Sequence, residues 1–230
     1  MKFINLQLII QSLPKLLAGA QISLLISLCS VVLGITMGII IAIGRLSNFK
    51  PFRVLAGIYV SFIRGTPMIV QIFIVHYGLA EFGLKLPALL SGITALSFNS
   101  AAYMGEVFRG GIQSIDVGQT QAGLSLGLTS FQTFRYIIFP QAFRRVIPSM
   151  GNEMVTLTKD SSLVNFIAIA ELTYRATLIA SRTYEYFTMY LGIALVYFVI
   201  TFILSQLLAL LERRMGPYDS NSQSEESLRR

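Results

Sequence analysis

The sequence predicts an all-α transmembrane protein of about five membrane-spanning helices, with a short helix outside the membrane between the third and fourth. Three observations predict it. The 230-residue chain is 54% hydrophobic and only 13% charged, against ~25% charged in a soluble domain. Its mean hydropathy is +0.67. Apolar stretches recur at about 13–43, 54–80, 87–108, 143–169 and 186–211, each long enough for the ~20 residues that cross a bilayer. Between the third and fourth lies a mixed polar segment, 118–140.

The first stretch exceeds the ~7–15 apolar residues of a signal-peptide core, and no small-residue cleavage site follows it. It reads as a retained span after a short N-terminal segment, 1–12. Gly34, Gly38 and Ala42 recur every fourth residue, a row that lets a second helix approach closely. Arg45, Lys50, Pro51 and Arg53 form a basic turn. The second stretch contains Arg64-Gly65-Thr66-Pro67 and Gln71. Pro67 lacks a backbone donor and predicts a kink. Arg64 has three open roles: snorkelling, holding a lipid phosphate, or fixing the break.

In the third stretch Asn99, Tyr103 and Glu106 fall on one helical face. That face avoids lipid, because polar groups at membrane depth are expensive. In 118–140, Gly118 and Gly127 bracket eight residues. They predict a short helix with a left-handed exit, or else an ordinary connecting loop. The fourth span carries Asn152, Glu153, Thr156, Thr158, Lys159, Asp160, Ser161 and Ser162. Each ionisable group there costs ~2.5–3.5 kcal/mol to insert. Lys159 therefore either pairs with a carboxylate such as Glu106 or lines a polar pathway; Glu153 and Asp160 fit the pathway better. Pro148 and Gly151 predict a bent or unwound start to this span. Glu171, Arg175, Arg182 and Glu185 read as an outer loop, and residues 213–230 as a disordered tail.

Basic residues orient the chain. Arg45, Lys50, Arg53, Arg109, Arg135, Arg144, Arg145, Arg213 and Arg214 fall on one side; Lys2, Lys15, Lys85, Arg175 and Arg182 fall on the other. The positive-inside rule puts the richer set in the cytoplasm, the N-terminus outside and the C-terminus inside. The net charge of +7 thus reflects topology, and no nucleic-acid partner is expected. Cys29 and His76 are the only residues of their kinds. They support neither a disulfide, a metal site nor His-based catalysis, and no phosphate-cradling G-x-x-x-x-G-K-[ST] run occurs. No repeat relates the two halves, which disfavours an inverted-repeat carrier. What remains is passage of a polar solute through a bundle, gated from the cytoplasm.

The cytoplasmic segment resembles the pattern E-A-A-x3-G-x9-I-x-L-P of the membrane subunits of type I ABC importers. Gln121-Ala122-Gly123, Gly127 and Ile137-Ile138-Phe139-Pro140 keep its spacing, with Gln121, Gly123 and Phe139 replacing Glu, Ala and Leu. SFIRGTPMIVQIF (61–73), NSAAYMGEVFRGGIQSID (99–116), PQAFRRVIP (140–148) and GNEMVTLTKDSSLV (151–164) are similar to the polar amino-acid branch. SRTYEYFTMYLG (181–192) looks similar to cystine permeases in that branch.

The resemblance implies a permease subunit of the bacterial inner membrane, spanning 13–212 with a coupling loop at 110–140. It would pair with a second permease subunit, identical or paralogous. Two separate ATPase subunits would bind ATP and Mg, so this chain would hold no cofactor and catalyse no reaction. An extracytoplasmic binding protein would deliver the solute, cystine or glutamine or a basic amino acid. Gly118, Gln119, Gln121, Ala122, Gly123, Leu126 and Gly127 would couple to the ATPase. Asn99, Glu153, Thr156, Asp160 and Ser161 would contact the solute, with Arg64, Pro67, Glu106 and Lys159 structural or gating. Two rival functions also fit a polar bundle: an ATP-independent channel or carrier, and a sensor subunit that moves nothing.

Overall fold

The computed structural model describes residues 4–215; the predicted disordered tail lies almost wholly outside the described residues. Eight helices account for nearly all of them, and no strand occurs among them. Helix α1 spans Leu6–Leu46, so it begins inside the segment expected to precede the first span. Helix α2 spans Lys50–Arg64 and α3 spans Met68–Glu81. Helix α4 spans Ala88–Gln113, α5 Val117–Ser125 and α6 Ser130–Ile167. Helix α7 spans Leu172–Thr183 and α8 Tyr186–Met215.

By length and composition α1 and α8 are each long and apolar enough to cross a membrane, while α2 with α3 and α6 with α7 meet that test only as bent pairs, each a broken span or a re-entrant loop. At 26 residues, α4 is ~39 Å long at ~1.5 Å per residue. Much of its surface is covered by other helices. It lies between α1 and α6, with Ala95, Leu96, Ala101 and Ala102 fully buried, and so it tolerates a more polar sequence.

Small residues bring α1 and α4 together. A Cβ on Gly38 would stand 2.6 Å from Met104 Cβ, Gly34 lies directly against Ser100, and Ala42 is buried against Met104 and Phe108. The every-fourth-residue row is therefore the α1–α4 contact. Serines on α1 add hydrogen bonds: Ser27 Oγ donates to Leu157 O at 3.1 Å and Ser30 Oγ to Ile93 O at 3.3 Å.

Three breaks differ from expectation. Pro67 does more than kink the second stretch: α2 and α3 are bent by 109°, with Pro67 capping α3 in an extended conformation. Pro148 and Gly151 do not unwind α6, which stays helical through both. The helix instead tightens to a 3₁₀ turn from Ser161 to Ile167 and ends at Ala168, φ 59°. Gly151 lies against Leu208 of α8, so its role is close packing. The expected outer loop is mostly helix α7. Its N-cap, Glu171, is fully buried. It accepts from Thr173 N, Tyr174 N, Tyr197 Oη and Ser23 Oγ, which ties α7 to α1 and α8.

Candidate functional site

A cavity of about 220 Å³ lies where α4, α6 and the α2–α3 break meet. Its lining is Thr66, Met68, Asn99, Tyr103, Glu153, Thr156 and Asp160. Glu153, Thr156 and Asp160 recur at three and four residues on α6, so one face of that helix supplies them all. Asn99 and Tyr103, one turn apart on α4, supply the facing wall. Four of the five residues predicted to contact solute thus share one cavity. The fifth, Ser161, does not line it: the side chain is fully buried and donates to Thr158 O at 2.8 Å.

The break at Gly65–Pro67 is held by a residue whose role sequence reading missed. Gln71 is 5% exposed, and its Nε2 faces three oxygens: Ile63 O at 2.7 Å, Thr66 Oγ1 at 3.0 Å and Thr66 O at 3.1 Å. Those acceptors fix the orientation of the amide, because only the nitrogen can donate to carbonyls. Its Oε1 therefore accepts from Asn99 Nδ2, at 2.9 Å. Asn99 in turn keeps Oδ1 and one Nδ2 hydrogen uncommitted. With Glu153 and Asp160, this makes the cavity rich in acceptors.

Arg64 ends α2 and stacks on Tyr103, its guanidinium carbon 5.2 Å from the ring centroid, a cation–π contact. It lies one aromatic ring from the cavity. Glu106 shares the helical face of Asn99 and Tyr103 but not their cavity. It accepts from Arg45 Nε at 3.0 Å and from Arg109 Nη2 at 2.8 Å. The proposed Lys159–Glu106 pair is thus not formed. Lys159 is exposed and makes no ion pair with a described residue.

The short helix predicted within 118–140 is α5. It begins two residues before Gln119, capped by Asp116, whose Oδ1 accepts from Gly118 N at 2.6 Å. Its exit is left-handed at Gly127, φ 80°. There Leu128 N donates to Gly123 O at 3.2 Å and Gly127 N to Leu124 O at 3.0 Å, the paired bonds of a Schellman stop. Thr129 and Gln132 then form a capping box that starts α6. Gly118, Gln119, Gln121, Ala122, Leu126 and Gly127 are exposed, whereas Gly123 is buried. A Cβ on Gly123 would stand 2.6 Å from Thr133 Cγ2. This explains glycine where the family pattern has alanine: Thr133 at the base of α6 fills that space. Val117, Leu124 and Leu126 stay 69%, 46% and 80% exposed, an apolar surface with no partner within the described chain.

Much of the segment expected as coupling loop is helical, since α4 runs to Gln113 and α6 starts at Ser130. A π-turn, Phe134–Ile138, precedes Pro140 and accommodates the residue that cannot donate to a regular helical turn. One helix therefore carries both Thr133 against α5 and Glu153 and Asp160 in the cavity.

A helical bundle with candidate membrane spans, a polar cavity between its helices and a capped, exposed short helix fits a membrane transport subunit. Residues 34–217 match the family of binding-protein-dependent transport system inner membrane components, and the chain belongs to that family, among its amino-acid ABC permeases. It is 35% identical over 211 residues to the arginine transport system permease protein ArtQ of Bacillus subtilis (strain 168), covering 91% of this chain and 96% of that one. It is 37% identical over 206 residues to the L-cystine transport system permease protein TcyB of the same organism, covering 89% and 88%. A crystal structure of an amino acid ABC transporter with histidines superposes with a TM-score of 0.87 at 40% identity, covering 92% of this chain and 99% of that one.

Proposed function

We propose that the chain is the permease subunit of an ATP-driven importer that carries a polar amino acid across the bacterial cytoplasmic membrane. The solute sits in the cavity of Asn99, Glu153, Thr156 and Asp160. The observation that carries this reading is the meeting of those four side chains in 220 Å³, below the ~300–1,000 Å³ of drug-sized pockets and suited to one small solute. Two carboxyl groups and Asn99 Oδ1 serve cationic groups. A basic amino acid therefore fits best, with its ammonium and side chain on these acceptors; glutamine and cystine follow. Arg64, one ring away, is suited to the solute carboxylate.

The motor is separate. Two ATPase subunits, holding ATP and Mg, bind beneath a pair of permease subunits, each gripping the exposed apolar surface of α5. An extracytoplasmic binding protein delivers solute to the opposite face. The basic residues clustered at the α5 end support a cytoplasmic α5, an outside N-terminus and an inside C-terminus. Because α6 joins α5 to the cavity as one helix, a displacement at α5 moves Glu153 and Asp160 as a rigid body.

The test is ATP-dependent uptake of labelled arginine, glutamine and cystine into liposomes containing the full complex. Glu153→Ala and Asp160→Ala should each abolish uptake while the ATPase still co-purifies. Normal uptake by both variants overturns the cavity assignment. Uptake that needs no ATP favours a channel or carrier instead.

A further inference from the structure

A second concavity lies away from the solute cavity, at the end of the bundle that carries α5. It is an open groove of about 740 Å³ between the last turn of α1 and the outer face of α2, lined by Arg45, Arg53, Gly57, Ile58, Ser61 and Phe62, among others. Its floor is cationic. Arg45 spends Nε on Glu106, but its two Nη groups have no hydrogen-bond partner among the described residues. Arg53 is exposed and likewise has no described partner. Glu106 offers one negative charge to both Arg45 and Arg109, so with Arg53 the cluster keeps a net charge of about +2.

Gly57 makes the arrangement fit. A Cβ there would stand 2.8 Å from Arg45 Nη1, so glycine is what lets the guanidinium lie over α2. The wall is apolar and open. Ile58 and Phe62 are 60% and 56% exposed, and Val54 and Leu55 beside them 55% and 65%. Arginine forks above an apolar wall, beside the end of α1, complement a phosphodiester with acyl chains attached. A free phosphate would satisfy the arginines and leave the wall bare.

We propose that this groove binds an anionic phospholipid. Its headgroup phosphate is held by Arg45 Nη and Arg53, Ser61 supplies a hydroxyl, and an acyl chain lies along Ile58 and Phe62. Basic pockets between membrane helices recognise lipid headgroups by this chemistry. The bound lipid fills the angle between α1 and α2 and so braces the α2–α3 break from outside. The site stands independently of the transport reading, because it requires only that the bundle be in a membrane.

The experiment is a lipid titration of the purified full-length chain in detergent by native mass spectrometry. It uses dioleoylphosphatidylglycerol, dioleoylphosphatidylethanolamine and inorganic phosphate. One phosphatidylglycerol per chain should be retained at least about fivefold more tightly than phosphatidylethanolamine, and millimolar phosphate should not displace it. Arg53→Gln should weaken retention about fivefold, the contribution of one basic residue at an anionic surface. Gly57→Leu, which leaves every charge in place but displaces Arg45, should weaken it comparably. Lys85→Gln, at the opposite end, should change nothing. Equal retention of the two lipids, displacement by phosphate, or unchanged retention in both Arg53→Gln and Gly57→Leu overturns the proposal. So does disulfide cross-linking of Ile58→Cys to a second copy of the chain with loss of no lipid, which would make the groove a protein interface.

Discussion

Replacing Gln71 with leucine removes an amide with four polar atoms within hydrogen-bond distance, without greatly changing side-chain volume. Ile63 O and Thr66 O lose a donor, and Asn99 Nδ2 loses its acceptor. Each bond is worth ~1 kcal/mol net, and each buried group left unpaired costs ~1–3 kcal/mol. Destabilisation of about 3 kcal/mol follows, seen as a lower melting temperature of the purified complex. The functional effect is separate. Without Gln71 Oε1, the Asn99 amide is free to turn and to present a donor where the solute's cationic group needs an acceptor. One hydrogen bond to a charged group is worth ~1.5–3 kcal/mol, so KM for a basic amino acid should rise between about tenfold and a hundredfold. On the proposed assignment of the cavity, Gln71 acts on the solute only through Asn99. In an Asn99→Ala background, Gln71→Leu should therefore lower the melting temperature but leave KM alone. Additive effects on KM in this double-mutant cycle would refute the reasoning, since independent sites add and coupled ones do not.

Gly123→Ala should cost ~1–3 kcal/mol by overpacking against Thr133 and should reduce solute-stimulated ATP hydrolysis while the complex stays assembled; Gly123→Ala with Thr133→Ala should recover it, and no recovery would mean that α5 is not seated on Thr133. Gly127→Pro removes the donor to Leu124 O and forbids the left-handed exit, so stimulated hydrolysis should vanish with the protein still in the membrane. Glu171→Ala strips the cap from α7 and removes the carboxylate acceptor of Ser23 Oγ and Tyr197 Oη, which keep only their contacts to Leu172 N and Thr173 Oγ1; destabilisation of about 3 kcal/mol is expected in thermal melting, and an unchanged melting temperature would contradict the buried network. Gly38→Leu should separate α1 from α4 and abolish stable expression, as judged by size-exclusion chromatography.

The sequence disclosed what depends on local spacing. Gly34, Gly38 and Ala42 announced a close helix contact, and the α4 partner is the residue row Ser100 to Gly105. The three- and four-residue recurrence of Glu153, Thr156 and Asp160 announced a shared face, which lines the cavity. Gly127 announced a left-handed helix exit. What stayed hidden depends on chain geometry after a break. Pro67 signals a bend but not its 109° magnitude, and the contact across it, Gln71 reaching back to Ile63, spans eight residues. Ser161 follows Asp160, yet the helix tightens to 3₁₀ there and turns its hydroxyl onto Thr158. Glu171 sits among charges that read as a solvated loop; its burial depends on Ser23 and Tyr197, remote in sequence. A Lys159–Glu106 pair is one of two readings that the sequence allows for a charge at membrane depth, but Arg45 and Arg109 hold Glu106 instead.

We propose the cavity between α4 and α6 as the solute's seat within the membrane. Equilibrium dialysis of labelled arginine against the purified permease complex, with no binding protein present, tests this assignment. Saturable binding of one arginine per chain is predicted, lost in Glu153→Gln with Asp160→Asn while the complex remains intact. Equal binding by the parent and the doubly substituted complex would contradict it.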